Sequence, residues 1–198
     1  MRKRELYHLY YSGMDRYDFD QDWLNRNAEI FCGSCRRLKI FDREIDVRLD
    51  RKISGKPDML FAGYLPVPGI ASDRLIGLLG SEGRRFLNVG RVISVEGGVE
   101  FEQPYKSFSG KYGYVTLRGK KPSIFKGVPF PENERLVVCN ECGFESRRER
   151  APWFLLESEC PDAPISCTGL GILIDENIYK EVEGVKLKDV LVQSVEIL

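Results

Sequence analysis

The stretch Leu136-Val137-Val138-Cys139-Asn140-Glu141-Cys142-Gly143-Phe144 runs an apolar, strand-like segment into a Cys-x-x-Cys pair, and Glu29-Ile30-Phe31-Cys32-Gly33-Ser34-Cys35 does the same far earlier in the chain. Two intervening residues let both thiolates of a pair face one ion while the tight turn aims backbone N–H groups at the sulfurs. Gly33, Asn140 and Gly143 tolerate the dihedral angles such a turn needs. Four thiolates at about 2.3 Å make a closed tetrahedral zinc site with no open position for substrate. Cys32, Cys35, Cys139 and Cys142 are therefore the expected ligands of one structural Zn2+. Redox chemistry would need a pair that opens a helix after a strand, and Arg36-Arg37-Leu38-Lys39-Ile40 reads equally well as a strand. Reduced core cysteines and disulfides compete with the metal site for the same residues.

Around these knuckles the chain has 198 residues, 42% hydrophobic and 30% charged, enough for one sizeable core. No run approaches the roughly 18 apolar residues of a membrane span. Met1-Arg2-Lys3-Arg4 has the charge of a signal-peptide start, but Glu5, His8, Asp15 and Asp18 interrupt the apolar region that should follow. The reading is a soluble, cytoplasmic protein in a reducing compartment, where paired cysteines favour metal over disulfides. Thirty basic and thirty acidic residues cancel, which disfavours a nucleic-acid partner. Arg36-Arg37 and Arg147-Arg148 with Arg150 lie close behind the cysteine pairs, as a local patch or as ordinary solvated surface.

The expected fold class is α+β, strand-rich, with two related halves joined around the zinc-knuckle pair. Glu5 to Tyr11 reads as an opening strand, and Asp22 to Ala28 as a short helix. Ile45, Val47 and Leu49 alternate with charged residues, the period of a half-buried strand. A hairpin turns at Gly97-Gly98, with Ile93 and Val95 expected to share an apolar face with Val99 and Phe101 while Glu100 and Glu102 point outward. Tyr112 to Leu117 is another strand candidate. Gly69 to Ile76 opens a helix capped by Ser72 or Asp73, ending near Gly80 or Gly83 and leading into a strand from Phe86 to Val95. Gly171 to Ile178 repeats the pattern, with Asp175 as cap, Gly184 as stop and a final strand from Val190 to Ile197. Residues 1–198 then form a single compact domain of two degenerate halves, about 1–120 and 121–198. The rival is coincidence between two ordinary strand–helix–strand stretches.

No catalytic set assembles from the sequence. His8 is the only histidine and lies within a strand, so Ser-His-Asp and Cys-His schemes lack support. Gly77, Gly80 and Gly83 resemble a phosphate loop only superficially, since no Lys-Ser or Lys-Thr follows. Asp18, Asp20, Asp22 and Glu29 sit at calcium-loop spacings, yet Trp23 stands where the loop requires glycine. Cys160 and Cys167 match no common metal knuckle and read as buried free thiols. The chain is expected to be non-enzymatic, and a small-molecule substrate is disfavoured.

Cys139-Asn140-Glu141-Cys142-Gly143, together with the first pair and the repeated strand–cap–helix–Gly–strand units, resembles the double-CxxCG immunity proteins of bacterial polymorphic toxin systems. Arg36 departs from that pattern, which expects glycine after the first pair as well. The resemblance implies neutralisation of a cognate toxin protein by binding. Under that reading the acidic, aromatic stretch Asp15 to Trp23 is the candidate contact surface, represented by Asp18, Asp20, Asp22 and Trp23. The alternative function is a zinc-ribbon nucleic-acid-binding or adaptor protein.

Overall fold

The computed structural model describes residues 4–13, 17–62, 69–169 and 171–198. From the N-terminus, β1 (Leu6–Tyr11) and α1 (Gln21–Arg26) precede β2 (Val47–Leu49), β3 (Met59–Phe61) and β4 (Gly69–Ser72). Helices α2 (Asp73–Leu78) and α3 (Gly80–Arg84) lead to β5 (Leu87–Glu96), β6 (Val99–Gly110), β7 (Tyr114–Val115) and β8 (Arg118–Pro122). Next come β9 (Ile124–Phe125), β10 (Val128–Pro129), β11 (Leu136–Val138), β12 (Glu145–Arg147) and β13 (Glu149–Leu155). The chain closes with β14 (Ile165–Thr168), β15 (Gly171–Asp175), α4 (Glu176–Val182) and β16 (Val190–Ile197). A seven-stranded sheet has the order β7-β14-β15-β1-β16-β13-β8, and a five-stranded sheet the order β2-β5-β6-β4-β3. Hairpins β9-β10 and β11-β12 stand apart from both sheets.

The two strand–helix–strand units form where their caps predict. Ser72 Oγ accepts from the Leu75 N–H at 3.1 Å, and Asp175 Oδ1 accepts from the N–H groups of Asn177 and Ile178 at 3.1 Å each. In each unit the helical segment joins two strands of like direction with a third, antiparallel strand between them. That strand is β6 between β4 and β5, and β1 between β15 and β16. The helical segments meet in one core, where Leu75, Ile76 and Leu79 share a cluster with Ile178 and Val182. Alternation along β1 sends Leu9 to this cluster and Leu6 to a smaller one with Leu117, Trp153 and Leu155 on the opposite face. A cut near residue 120 severs strand pairing, because β1, β7 and β8 lie in the same sheet as β13 to β16.

Asp58 ties the units together. Its side chain is buried; Oδ1 accepts from Ser72 Oγ at 2.8 Å, while Oδ2 accepts from the Lys188 N–H at 2.8 Å and Arg74 Nη1 at 3.2 Å. Its backbone adds Asp58 N–H to the Lys188 carbonyl and Ser72 N–H to the Asp58 carbonyl, both at 2.9 Å. One carboxylate thus contacts the α2 cap and the connection from α4 to β16.

Three expected elements differ. Asp20, not Asp22, starts α1, because its carboxylate accepts from the Trp23 N–H at 2.9 Å. Only Tyr114–Val115 of the expected Tyr112–Leu117 strand is paired. At the Gly97-Gly98 hairpin, where φ is 57° and 81°, Glu96 pairs with Val99, so Val95 stands opposite Glu100 and Ser94 opposite Phe101. A two-residue loop makes paired positions differ in parity, so Val95 and Val99 cannot share a face. Ser94 and Gln103 are buried here, and Val99 and Phe101 are exposed. Among the described residues, no helix is long and apolar enough to cross a membrane.

Candidate metal centre

Each cysteine pair folds into the same backbone turn. Phe31 bridges Leu38 ahead of the first pair, and β11 pairs with β12 around the second. The Cys32 N–H donates to the Arg37 carbonyl at 2.8 Å and the Arg36 N–H returns to the Cys32 carbonyl at 2.9 Å. In the second knuckle Cys139 N–H bonds the Phe144 carbonyl at 2.9 Å and Gly143 N–H the Cys139 carbonyl at 2.8 Å. Both turns place the residue after the second cysteine in the left-handed region, with φ 60° at Arg36 and 70° at Gly143. Arg36 therefore occupies the glycine conformation without being glycine.

The two knuckles, 107 residues apart in sequence, meet face to face. Sγ atoms of Cys32 and Cys139 are 3.7 Å apart, those of Cys35 and Cys142 are 3.6 Å apart, and all four lie within 4.8 Å of one another. Tetrahedral coordination with bonds of about 2.3 Å requires sulfur–sulfur separations of about 3.8 Å, whereas a disulfide requires about 2.05 Å. All four cysteines are free thiols, and the donor set fits a thiophilic cation. Among the described residues this is the one cluster able to hold a metal ion; the acidic positions Asp18, Asp20, Asp22 and Glu29 form none.

Electrostatics at the cluster are uneven. The N–H groups of Cys142 and Glu141 draw the Cys139 thiol down to about 6, while burial pushes Cys35 up to about 12. Coordination overrides this split, because a bound cation displaces the thiol proton. A second clasp joins the knuckles outside the sulfurs. Glu141 Oε1 accepts from the Gly33 N–H at 3.0 Å, and Oε2 from the Ser34 N–H at 3.0 Å and the Ser34 hydroxyl at 2.8 Å. These donors, Gly33 first, hold the Glu141 carboxyl below its ordinary value. The sequence reading missed this role. Its signal is an acidic residue between the cysteines of one knuckle facing a Gly-Ser turn in the other.

The remaining candidate residues are scattered. Trp23 is 5% exposed and its indole N–H donates to the Asp46 carbonyl at 2.9 Å. Tyr17 and Phe19 are buried beside it in one cluster. An aromatic anchor for a partner must be exposed, so the contact expected of Trp23 is not available in this fold. Asp18 and Asp22 are exposed and Asp20 is half-buried as a cap; Asp15 lies outside the described residues. His8 is fully buried in β1, with Nε2 2.9 Å from Thr168 Oγ1. Burial pushes its imidazole down to about 3, so it is neutral. Cys167 is buried in β14 and Cys160 is half-buried, and neither belongs to the cluster of four. Compared with protein-family models, curated proteins and solved structures, the chain matches none.

Proposed function

We propose that this chain is a zinc-stabilised, non-enzymatic binding protein of the cytoplasm that neutralises a cognate bacterial toxin, as its resemblance to double-CxxCG immunity proteins implies. The observation that carries the reading is the four-thiolate cluster, in which two identical turns from distant segments supply a complete set of ligands. A closed set of four serves architecture better than catalysis, because no coordination position is left for substrate. Zinc is favoured over iron as the redox-inert occupant of such a site, and free thiols suit a reducing compartment. The matching split units around β1 and β6 support an origin in two degenerate halves.

Two surfaces suit a protein partner. Asp18 and Asp22 keep the acidic character expected of a contact with a basic toxin cleft. Residues 124–138 add an exposed apolar strip on the small hairpins, where Phe125 is 60% and Val128 66% exposed. Protein expressed without added metal should be colourless and carry about one zinc per chain. Co-expression with the toxin-like product of a neighbouring gene should protect cells. Comparing Asp18/Asp22→Asn with Phe125/Val128→Ser variants that retain zinc then locates the contact. A zinc-loaded protein that neither binds nor protects against that product would sink the immunity reading. Salt-dependent retention on DNA or RNA would favour the adaptor function.

A further inference from the structure

A second polar feature lies behind the knuckles, and none of the four clustered cysteines lines it. A cavity of about 230 Å³ opens between β12 of the second knuckle and the seven-stranded sheet. Its lining includes Arg37, Arg147, Trp153 and His8, drawn from four separate segments. In each, one buried nitrogen has no hydrogen-bond partner: Arg37 Nη1, Arg147 Nε, Trp153 Nε1 and His8 Nδ1. The first three can only donate. His8 is 0% and Trp153 7% exposed, so water outside the protein does not satisfy them.

Buried donors without acceptors are costly, and native folds keep few of them. Three such donors among the residues lining one cavity point to a ligand that supplies acceptors. The carboxylates on its rim answer only part of that need. Glu149 Oε2 already accepts from the Gly119 N–H at 2.8 Å, and Glu145 faces Arg147 Nη2 at 3.8 Å, leaving Nε unused. Arg37 is held by the Phe144 ring, 3.9 Å from its guanidinium carbon, with Nη2 directed to Ser146 Oγ at 3.5 Å and Nη1 left over. Leu117, Phe144 and the Trp153 ring supply apolar wall. The volume equals about eight waters' share of liquid and falls below the range of drug-sized sites.

We infer that this cavity binds a small organic carboxylate, its acid group accepting from Arg37, Arg147 and Trp153 and its apolar body lying against Leu117 and Phe144. Guanidinium groups match carboxylate geometry, and an indole N–H adds a neutral donor. None of the four clustered cysteines lines the site.

The two tryptophans make the test internal. In zinc-loaded full-length protein, the Trp23 indole N–H is already bonded to Asp46, whereas that of Trp153 is not. Titration with benzoate, followed by 15N-resolved NMR, should move the Trp153 indole signal saturably at millimolar concentration or below and leave Trp23 in place. Arg147→Gln should weaken that binding at least tenfold while the Trp23 signal and zinc content persist. If that variant loses zinc, Arg147→Lys serves instead, since it keeps the charge and removes the Nε donor. No movement of Trp153, or equal movement in the Arg147 variant, overturns the site and assigns the cavity to water. Inorganic phosphate binding as tightly as benzoate overturns the organic carboxylate in favour of a bare oxyanion.

Discussion

Arg36 and Gly143 occupy one backbone position in two copies of a turn, and only one of them suits it. A non-glycine residue in the left-handed region costs about 1–2 kcal/mol, partly offset by about 0.5–1 kcal/mol from the extra freedom glycine has when unfolded. Arg36→Gly should therefore raise stability by about 0.5–1 kcal/mol, read as a higher denaturant midpoint at constant slope. Gly143→Arg should lower it by a similar amount. A lower midpoint for Arg36→Gly would mean that the side chain does something the turn does not reveal. His8 offers a pH signature. Its folded value of about 3 lies below its ordinary 6.5, so its contribution is fully present above 6.5 and fades as pH falls from there towards 3. The unfolded chain takes the proton that the folded one refuses. His8→Gln should flatten that acid limb relative to the parent, both proteins sharing any loss due to thiol protonation. Parallel limbs would show that His8 is not buried as described.

At the scale of elements, the caps set the comparison. Asp58 is a buried carboxylate with both oxygens engaged, so Asp58→Ala should cost about 3 kcal/mol, leaving Ser72, Arg74 and the Lys188 N–H without their partner. The control is Asp46→Ala, which breaks an exposed, solvent-screened pair with Arg91 at 2.7 Å and should cost far less. Equal losses in a chemical denaturation series would remove Asp58 from its clasping role. Ser72, Asp175 and Val190–Ile197 were legible because capping and alternation are local chemistry. The Gly97-Gly98 turn was legible too, but the facing of its strands was not, since parity across the loop, not apolar content, decides it. Tyr17-Asp18-Phe19 carried a period-two signal that sends both aromatics inward, where Tyr17 bridges Ala62 and Phe19 bridges Leu49. Reading those rings as contacts ignored that alternation. The cysteine cluster was readable from paired spacing alone. The donor-lined cavity was legible only in its arginines, Arg37 and Arg147 behind the two cysteine pairs, because His8 and Trp153 come from strands that share no motif with them.

For the whole molecule, the cluster and the sheet impose the same condition: neither half is complete alone. Fragments 1–120 and 121–198 each hold two of the four thiolates, and the first also holds β1, the strand between β15 and β16. Neither should melt cooperatively or bind zinc with full affinity, as circular dichroism and metal competition would report. A cooperative, zinc-tight fragment would contradict the sharing of the seven-stranded sheet and of the thiolates. The place of β1 also sets a timetable for synthesis. Leu6–Tyr11 leaves the ribosome well before its two neighbours, which begin roughly 160 and 180 residues later, at Gly171 and Val190. At about 5–20 residues per second, an aromatic strand with two open edges waits about 8–36 s for its neighbours. During translation that strand is a natural client for a chaperone until β15 and β16 have emerged.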